Sequence, residues 1–322
     1  MALKIGVIGC GVMAERFHLP SLRYCQSVLD VEVPWCCDLQ LDKATAAARL
    51  FGAQALVEFE RALDEHPVDA CMVLVRVQDT FNVVRRLLAR GVATFLEKPP
   101  AANLAQARDL AELAGRSNVP SQVAFNRRHN PRLAAAIEHL GGPANVTAIT
   151  YEMFRVARRE PTFPAYTMIH AVDAVRHIAG QPAEWTIVGR DDPAAWSVAG
   201  RFDSGVLATL AVYPDAGIAT ERCTLHCPGR SAFVSGLHYG TADGLGHAEL
   251  YEGRKLVRRV EPDLSLPAEL QPAAAAGFVD QLRSFIEALL SGRHAKPDLA
   301  EAAKTMTWID QMLSRLGLAW PE

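Results

Sequence analysis

The feature that most constrains the fold of this chain is a glycine-containing turn directly after its first apolar run. Residues 4–8 have the length and composition of a buried parallel strand. Gly9, Gly11 and Ala14 follow with the spacing G-x-G-x-x-A. The first glycine permits a tight turn, the second permits close approach to the backbone, and the small third residue lets a helix pack on the sheet. The pattern therefore predicts a strand, a turn and a helix whose N-terminus can bind phosphate groups.

The residues around this turn favour a dinucleotide-binding site. The next apolar segment, 31–37, ends at Asp38, where a carboxylate can accept hydrogen bonds from ribose hydroxyls. Val12 and Met13 open the helix and bring free N–H groups to the phosphates. Asp38 favours NAD because a carboxylate repels the 2′-phosphate of NADP. NADP stays open as an alternative because Lys43 could reach a 2′-phosphate. The alternative to a dinucleotide site is an ordinary strand-turn-helix with an incidental aspartate.

Composition excludes several classes of protein. A length of 322 residues suits two domains, and a 50% hydrophobic content with 21% charged residues is typical of a globular protein. The net charge of −3 and the absence of a basic block argue against a nucleic-acid partner. No apolar run approaches the roughly 20 residues that span a bilayer, so no membrane association is expected.

The cysteines and the N-terminus favour a cytoplasmic location. The seven cysteines are odd in number and irregular in spacing, which fits a reducing compartment. The first residues run directly into a strand and lack the pattern of a signal peptide. Cys223, His226 and Cys227 lie close in sequence, but in a strand His226 points away from the two cysteines. No metal site is therefore expected.

The first third of the chain alternates strands and helices. Such alternation indicates βαβ units on a parallel sheet, with ligands bound at the carboxyl ends of the strands. The predicted helices are 14–25, 39–51, 60–65, 80–90 and 104–114, and the further strands are 55–57, 70–77, 92–96 and 122–125.

Glu97, Lys98 and Pro99 follow the strand predicted at 92–96 and should reach the same sheet edge as Gly9. A lysine between a strand end and rigid prolines is held where a substrate would lie. The alternative is a solvated loop lysine, and position alone does not decide between them.

The rest of the chain predicts a second domain built on a mostly antiparallel sheet. The predicted boundaries are 1–120 for the first domain and 121–322 for the second, with final helices at 278–290 and 297–316 that can pack back on the first. A sheet covered by helices on one face leaves the other face free for a homo-oligomer, a dimer or tetramer. The predicted strands are 146–155, 185–188, 196–202, 206–212, 223–226 and 248–259.

Six segments spread over nearly the whole chain carry a family resemblance. They are GVIGCGVMAERFHLPSLR at 6–23, VDACMVLV at 68–75, GVATFLEKPPAANLAQA at 91–107, VAFNRRHNP at 123–131, IHAVDAVRHIAG at 169–180 and FVDQLRSFIEALLSGR at 278–293. With these motifs the chain resembles the glucose-fructose oxidoreductase, inositol dehydrogenase and MocA (Gfo/Idh/MocA) family. The resemblance implies an N-terminal Rossmann domain, a doubly wound parallel sheet, joined to an α+β domain with an open sheet.

The resemblance also implies roles for individual residues. Lys98 matches the family lysine beside the nicotinamide and the substrate, with Glu97 and Pro99 beside the nicotinamide ribose. His170 heads the family's H-x-x-D motif with Asp173, which implies that His170 is the general base.

The substrate residues are less closely defined by the family pattern. Many relatives carry an aspartate four residues before the histidine, where this chain has Tyr166. A tyrosine can orient a ring or bind a hydroxyl, but it carries no charge near pH 7. Asn126, Arg128, Tyr166 and Asp173 are the candidates for substrate contacts, and surface or packing roles are their alternatives.

The expected function is NAD-dependent hydride transfer at a secondary alcohol or ketone of a sugar, sugar derivative or polyol. Two alternatives stay open. One is a glycosidase or lyase that oxidises its substrate transiently and restores the cofactor. The other is a dinucleotide-binding sensor without catalysis, which the missing aspartate permits.

Overall fold

The computed structural model describes residues 2–191 and 194–321, and the chain divides into two compact units. One unit comprises Met1–Ala124 with Phe278–Met306, and the other comprises Phe125–Gly277 with Thr307–Glu322. The first break lies close to the boundary expected at residue 120, and the helix expected at 278–290 is grouped with the first unit.

The first unit contains a parallel sheet. Its strands are β1 Leu3–Ile8, β2 Val31–Glu32, β3 Trp35–Cys37, β4 Gln54–Leu56, β5 Ala70–Val73, β6 Ala93–Leu96 and β7 Ser121–Val123. The order is β4-β3-β1-β5-β6-β7, and β2 also pairs with β1. The chain builds outward on one side of β1 and then returns to the other side, which confirms the doubly wound topology. In such sheets ligands bind where the strand order reverses, here beside β1.

Eleven α-helices are present in the described ranges, and the first continues a π-helical turn at Ala14–His18. They are α1 Leu19–Val28, α2 Leu41–Arg49, α3 Phe59–Glu65, α4 Val77–Ala89, α5 Leu104–Ser117, α6 Pro131–His139, α7 Phe163–Tyr166, α8 Ile169–Ala179, α9 Gln271–Ala275, α10 Phe278–Leu290 and α11 Leu299–Arg315.

The short apolar runs of the first unit are strands because helices cover both faces of their sheet. Every residue of β5 and β6 is buried, as expected for central parallel strands. The run predicted as one strand at 31–37 is divided into β2 and β3. Pro34 lies in the interruption, where its missing N–H costs no ladder hydrogen bond.

The second unit contains an eight-stranded sheet that confirms the mostly antiparallel prediction. Its strands are β8 Ala148–Phe154, β9 Pro182–Asp191, β10 Ala194–Phe202, β11 Leu207–Tyr213, β12 Thr220–Cys227, β13 Arg230–Val234, β14 Ala248–Glu252 and β15 Lys255–Val260. The order is β15-β14-β13-β12-β8-β11-β10-β9. Within this sheet, β8 and β11 form the one parallel pair among the described pairings.

One strand prediction for this sheet was wrong, and one strand was missed. The single strand predicted at 248–259 is the hairpin of β14 and β15, because Gly253 turns the chain with φ +61°. The strand β13 was not predicted.

One face of this sheet is covered and the other is exposed. Helix α8 packs on β8 and β11, and α6 packs on β13 and β14. Along β11 and β12 buried positions alternate with exposed ones, as in a sheet with one solvated face. Large apolar side chains lie exposed on the strands, including Val188, Leu207, Tyr213 and Phe233.

Candidate active site

The glycine turn after β1 has the conformation that its sequence requires. Gly9 has φ +92°, and a Cβ atom there would lie 2.6 Å from the carbonyl oxygen of Leu74. Gly11 differs, because a Cβ atom built on it would meet no protein atom within 4 Å. The protein therefore demands glycine at position 9, whereas the space beside Gly11 is open for a ligand.

The strand register brings the candidate cofactor residues to one edge of the sheet. Ile8 pairs with Cys37 of β3 and with Val73 of β5, and Val73 pairs with Leu96 of β6. These strand ends lie at the same level. The residues that follow them are Gly9, Asp38, Leu74 and Glu97.

Asp38 is held at the rim of a cavity beside the glycine turn. Its Oδ2 accepts a hydrogen bond from the N–H of Cys10 at 2.8 Å, and its Oδ1 accepts one from the N–H of Gln40 at 2.9 Å. The cavity has a volume of about 570 Å³. Its walls include Gly9, Gly11, Asp38, Lys43, Val57, Leu74, Val75 and Arg76.

Residues 12 and 13 of the turn are accessible. Val12 is 65% exposed and Met13 is half-buried, while Ala14 is buried as the close packing of helix and sheet requires. The helix therefore begins with its first residues open to a ligand.

A histidine that the sequence analysis did not single out supports the Glu97–Lys98–Pro99 segment. His18 is fully buried, and its ring packs edge-on against Phe95 and Phe278. Its Nε2 lies 2.6 Å from Oε1 of Glu97, and the other carboxylate oxygen of Glu97 accepts from the N–H of Lys98 at 3.0 Å.

The carboxylate of Glu97 stays ionised in this environment. Burial opposes its charge, but the hydrogen bond from His18 and the nearby positive charge of Lys98 hold the pKa of Glu97 below its usual value. Nδ1 of His18 is buried and has no hydrogen-bond partner among the described residues. Nε2 is therefore the atom through which His18 contacts the protein's polar groups.

Lys98 itself lies directly after this fixed carboxylate. The side chain is half-buried, Pro99 is buried, and the Lys98–Pro99 peptide bond is cis. Lys98 thus belongs to the first unit, at the sheet edge that also carries the glycine turn.

In the second unit, Glu221 is the centre of a buried cluster of charged groups. Arg127 donates from Nε to Oε1 and from Nη2 to Oε2 of Glu221, both at 2.9 Å. Arg155 also donates to Oε2, and the hydroxyl of Tyr151 donates to Oε1 at 2.6 Å. The side chains of Arg127, Arg155 and Glu221 are at most 5% exposed. We refer to these four residues as the Glu221 cluster.

The charges of this cluster stabilise one another. Burial disfavours the carboxylate of Glu221, but Arg127 and Arg155 hold its pKa well below the ordinary value. Burial likewise opposes the charge of Arg127, and Glu221 outweighs it and raises the pKa of Arg127. Burial and the carboxylate of Glu221 raise the pKa of Tyr151 well above its usual value. Glu221 and Arg127 therefore remain charged at neutral pH.

Arg127 links the Glu221 cluster to the candidate catalytic histidine. Besides its two bonds to Glu221, it donates from Nη1 to Oδ1 of Asn126 at 2.8 Å. Its Nη1 lies 3.3 Å from Nδ1 of His170, and its Nη2 lies 3.1 Å from Nδ1 of His238. His170 lies in the first turn of α8 and is 9% exposed.

The other predicted substrate residues lie in the same unit. Arg128 donates two hydrogen bonds of 2.7 Å to the carboxylate of Asp173, and both side chains are buried. Asn126 uses both ends of its amide within the protein, because its Nδ2 donates to the carbonyl of Ala276 at 2.7 Å. Tyr166 ends α7 and is half-buried, and burial raises the pKa of its hydroxyl.

The predicted site residues thus form two groups. The glycine turn, Asp38 and the residues 97–99 belong to the first unit. Asn126, Arg128, Tyr166, His170 and Asp173 belong to the second unit. The prediction that Lys98 and His170 face one substrate stays a prediction.

Sequence reasoning missed His18, Arg127, Arg155, Glu221 and His238. A signal was present for Glu221, because it lies two residues before Cys223 and four before Leu225 along β12. Residues at this spacing share one face of a strand, here the buried one. A carboxylate at an inward strand position needs a buried partner.

Two expected absences concern metals and membranes. Within residues 2–191 and 194–321, no group of three or more histidine, cysteine or acidic side chains is arranged to hold a metal ion. His226 instead contacts the hydroxyl of Ser231, at 2.8 Å. No helix in the same ranges has the length and apolar character needed to cross a membrane.

Comparisons with other proteins agree with this architecture. The dehydrogenase from Chromobacterium violaceum superimposes with a TM-score of 0.83 at 22% identity, over 97% of this chain and 95% of that one. Levoglucosan dehydrogenase, solved with NADH and levoglucosan, gives a TM-score of 0.80 at 14% identity over 100% of both chains. At these identities the likeness establishes the fold.

The sequence relatives match over only part of the chain. Inositol 2-dehydrogenase from Pseudarthrobacter chlorophenolicus is 29% identical over 247 residues, which are 69% of this chain and 70% of that protein. D-apiose dehydrogenase from Paraburkholderia graminis is 29% identical over 133 residues, 41% of this chain. The chain spans only 34% of that enzyme's length and 58% of the putative oxidoreductase YceM from Salmonella typhimurium.

The match to a family model lies in the N-terminal unit. Residues 3–125 match the family described as "Oxidoreductase family, NAD-binding Rossmann fold". The matched range contains the glycine turn, Asp38 and the Glu97–Lys98–Pro99 segment. Over residues 3–125 the chain therefore matches the NAD-binding Rossmann fold of the Gfo/Idh/MocA oxidoreductase family.

Proposed function

We propose that this chain catalyses hydride transfer between NAD and a secondary alcohol or ketone of a sugar, sugar derivative or polyol. The observation that carries the proposal is the register of the first sheet. It brings the glycine turn, Asp38 and the Glu97–Lys98–Pro99 segment to one edge, where doubly wound sheets bind ligands.

The residues at this edge fit a dinucleotide. The open space beside Gly11 admits a pyrophosphate close to the backbone, and the accessible start of the helix offers N–H groups to it. Asp38 is fixed by two backbone N–H groups, which leaves further acceptor capacity on its oxygens for ribose hydroxyls. The negative charge of Asp38 favours NAD over NADP, although Lys43 also lines the cavity.

Bound NAD supplies the acceptor or donor of the hydride. The protein's part is to hold the substrate oxygen and to stabilise the charge that develops on it. In this proposal Lys98 and His170 both contact the reacting oxygen. Glu97 holds the segment that presents Lys98, because its carboxylate is fixed by His18 and by the N–H of Lys98. Tyr166 and Arg128 are proposed to contact other substrate hydroxyls, with Asn126 and Asp173 holding the arginines in place.

The substrate class rests on the relatives. Inositol 2-dehydrogenase, D-apiose dehydrogenase and levoglucosan dehydrogenase all bear names of polyhydroxylated substrates. The several hydrogen-bonding side chains near His170 support a polyhydroxylated substrate here as well.

The test is a screen of sugars, sugar acids and inositols for NADH formation, together with the matching ketones for NADH consumption. Wild type is compared with Lys98→Ala and His170→Ala, and with Lys255→Ala as the control, since Lys255 is exposed on β15. Activity that survives in the control and falls by about 10² or more in the two site variants supports the proposal.

Two other results would refute it and identify the alternatives. Cleavage of a glycoside without net NADH would indicate transient oxidation with restoration of the cofactor. Tight NAD binding with no turnover of any alcohol or ketone would indicate a dinucleotide-binding sensor.

We also propose that the chain forms a homo-oligomer through the exposed face of the second sheet. Leu207 is 58% exposed and Val188 is 67% exposed. Large apolar side chains exposed on one sheet face are typical of an interaction surface. Light scattering coupled to gel filtration measures the oligomer directly.

We place the protein in a reducing compartment such as the cytoplasm. All seven cysteines are unpaired, which supports this location.

A further inference from the structure

Arg127 has a contact for each of the five N–H groups of its guanidinium. Its Nε–H and one Nη2–H donate to Glu221, and one Nη1–H donates to Asn126. The remaining Nη1–H and Nη2–H face Nδ1 of His170 and of His238. A guanidinium has five donors and no acceptor, so the complete set of five is used within the protein.

This arrangement determines which nitrogen of His170 carries the proton. Because the guanidinium only donates, Nδ1 of His170 must accept, and it can do so only when it is unprotonated. A neutral imidazole then carries its single proton on Nε2. A protonated Nδ1 would place two donors face to face at 3.3 Å, beside a guanidinium that Glu221 keeps charged.

This tautomer is the opposite of the one that a general base needs. A histidine that takes a proton through Nε2 must offer an unprotonated Nε2, with its Nδ1–H held by an acceptor such as a carboxylate. Here a cation takes the place of that acceptor. The expectation that His170 is the base does not fit its surroundings.

We propose that Arg127 is a positioning residue that fixes His170 as a neutral hydrogen-bond donor, so that His170 polarises the reacting oxygen and does not carry the proton. The inference rests on the proposed function for the identity of that oxygen. In ketone reduction the hydride of NADH moves with its electron pair to the carbonyl carbon, and the cofactor is oxidised to NAD. The π bond of the carbonyl breaks, and its oxygen takes a proton from the ammonium of Lys98, which becomes a neutral amine. His170 keeps its proton throughout and donates a hydrogen bond to the oxygen.

The buried carboxylates of Glu221 and Asp173 are both bonded to arginines. The elements packed against α8 and the network bonded to Arg127 carry these charged and titratable residues: Arg127, Arg128, His129, Tyr151, Glu152, Tyr166, Tyr213, Glu221 and His238. Glu152 and Tyr213 alternate with the buried residues of β8 and β11 and so lie on the other face of the sheet. Glu221 is occupied by Arg127, Arg155 and Tyr151, and the next carboxylate along the helix, Asp173, is occupied by Arg128.

The first test reads the tautomer and needs no substrate. Long-range ¹H–¹⁵N correlation spectra of histidine-labelled protein, assigned by comparison with His170→Gln, should show His170 as a neutral ring protonated on Nε2 from about pH 5 to 8. His226 is the internal reference, because its Nδ1 faces the hydroxyl of Ser231, which can donate or accept. An Nδ1–H tautomer, or a ring that becomes cationic across this range, would overturn the inference.

The second test separates a donor from a base by activity. His170→Gln keeps a side-chain N–H donor but cannot take a proton, whereas His170→Ala keeps neither. We expect kcat within about tenfold of wild type for glutamine and a loss of about 10²–10³ for alanine. A base predicts equal losses of about 10²–10⁴ in both variants, and that result would overturn the inference.

The third test removes the positioning contact. Arg127→Lys keeps the positive charge beside Glu221 but cannot span both Glu221 and His170. We expect the His170 ring to gain a second proton as the pH falls, and the pH profile of kcat to gain a matching ionisation. A folded variant with wild-type histidine spectra would overturn the role of Arg127. If this variant does not fold, the first two tests decide the question in wild type and in His170→Gln. If no alcohol or ketone is turned over, the spectra still decide the tautomer.

Discussion

Alanine substitutions at Gly9 and Gly11 should separate the demands of the fold from those of the cofactor. The two glycines lie two residues apart in one turn, yet their surroundings differ. A Cβ atom at position 9 would overlap the backbone of Leu74 at 2.6 Å, and φ there is +92°. A Cβ atom at position 11 would enter open space, and φ there lies outside the left-handed region.

The expected magnitudes follow from this geometry. In Gly9→Ala the left-handed conformation costs about 1–2 kcal/mol and the overlap with a backbone carbonyl about 1–3 kcal/mol more. The total of about 2–5 kcal/mol corresponds to a melting temperature roughly 4–20 °C lower for a unit of this size. In Gly11→Ala the free energy of unfolding should stay unchanged or rise by about 0.4–1 kcal/mol, because alanine restricts the unfolded chain. Its methyl group would occupy the space proposed for the pyrophosphate, so the Kd for NAD should rise at least about tenfold.

The measurements are thermal unfolding without ligand and calorimetric titration with NAD, on wild type and both variants. Gly11→Ala should melt like wild type and bind NAD poorly. Wild-type NAD affinity in Gly11→Ala would refute the assignment of the phosphates to this turn. A wild-type melting temperature in Gly9→Ala would refute the reasoning from φ and from the contact with Leu74.

Three further predictions concern other parts of the molecule. Asp38→Asn removes the charge that repels a 2′-phosphate, so calorimetry should show about a tenfold shift in relative affinity toward NADP; an unchanged ratio would contradict this. Glu221→Gln leaves buried guanidiniums without their carboxylate and should lower the free energy of unfolding by about 3–5 kcal/mol in urea titrations. Because the pKa of Glu221 is lowered from 4.5, the difference in free energy of unfolding between wild type and the variant should be largest above about pH 5. It should shrink as the pH falls, and a constant difference would contradict the ion pairing. Leu207→Asp should shift gel filtration with light scattering toward monomer, and an unchanged mass would exclude this face.

The first unit could be predicted closely because its signals are local. A short apolar run followed by glycine or by a charged residue marks both a parallel strand and its carboxyl end, as at Gly9 and Asp38. Since all the strands of this sheet are parallel, these ends meet at one edge. The sequence therefore predicts that the candidate cofactor residues lie close together, without knowledge of the packing. The bounds of the elements were less exact, as where Pro34 divides the run at 31–37.

The second unit was harder to predict because its sheet depends on pairing between distant segments. The hairpin of β14 and β15 looked like one strand, since only Gly253 marks its turn. The parallel pair of β8 and β11 joins segments that are separated by two helices and two strands. Local periodicity identifies such strands but does not choose their partners.

The same limit applies to the chemistry of the second unit. A motif identifies His170, but the state of its ring depends on Arg127, which depends on Glu221 in a third segment. Placing two arginines on one buried carboxylate is a costly arrangement, and apolar residues of similar size would stabilise such a core at least as well. The cluster uses all five donors of one guanidinium, and one of them faces His170. A purely structural ion pair has no need of that contact, so the position of His170 at the end of this network is the reason to treat the Glu221 cluster as part of the site.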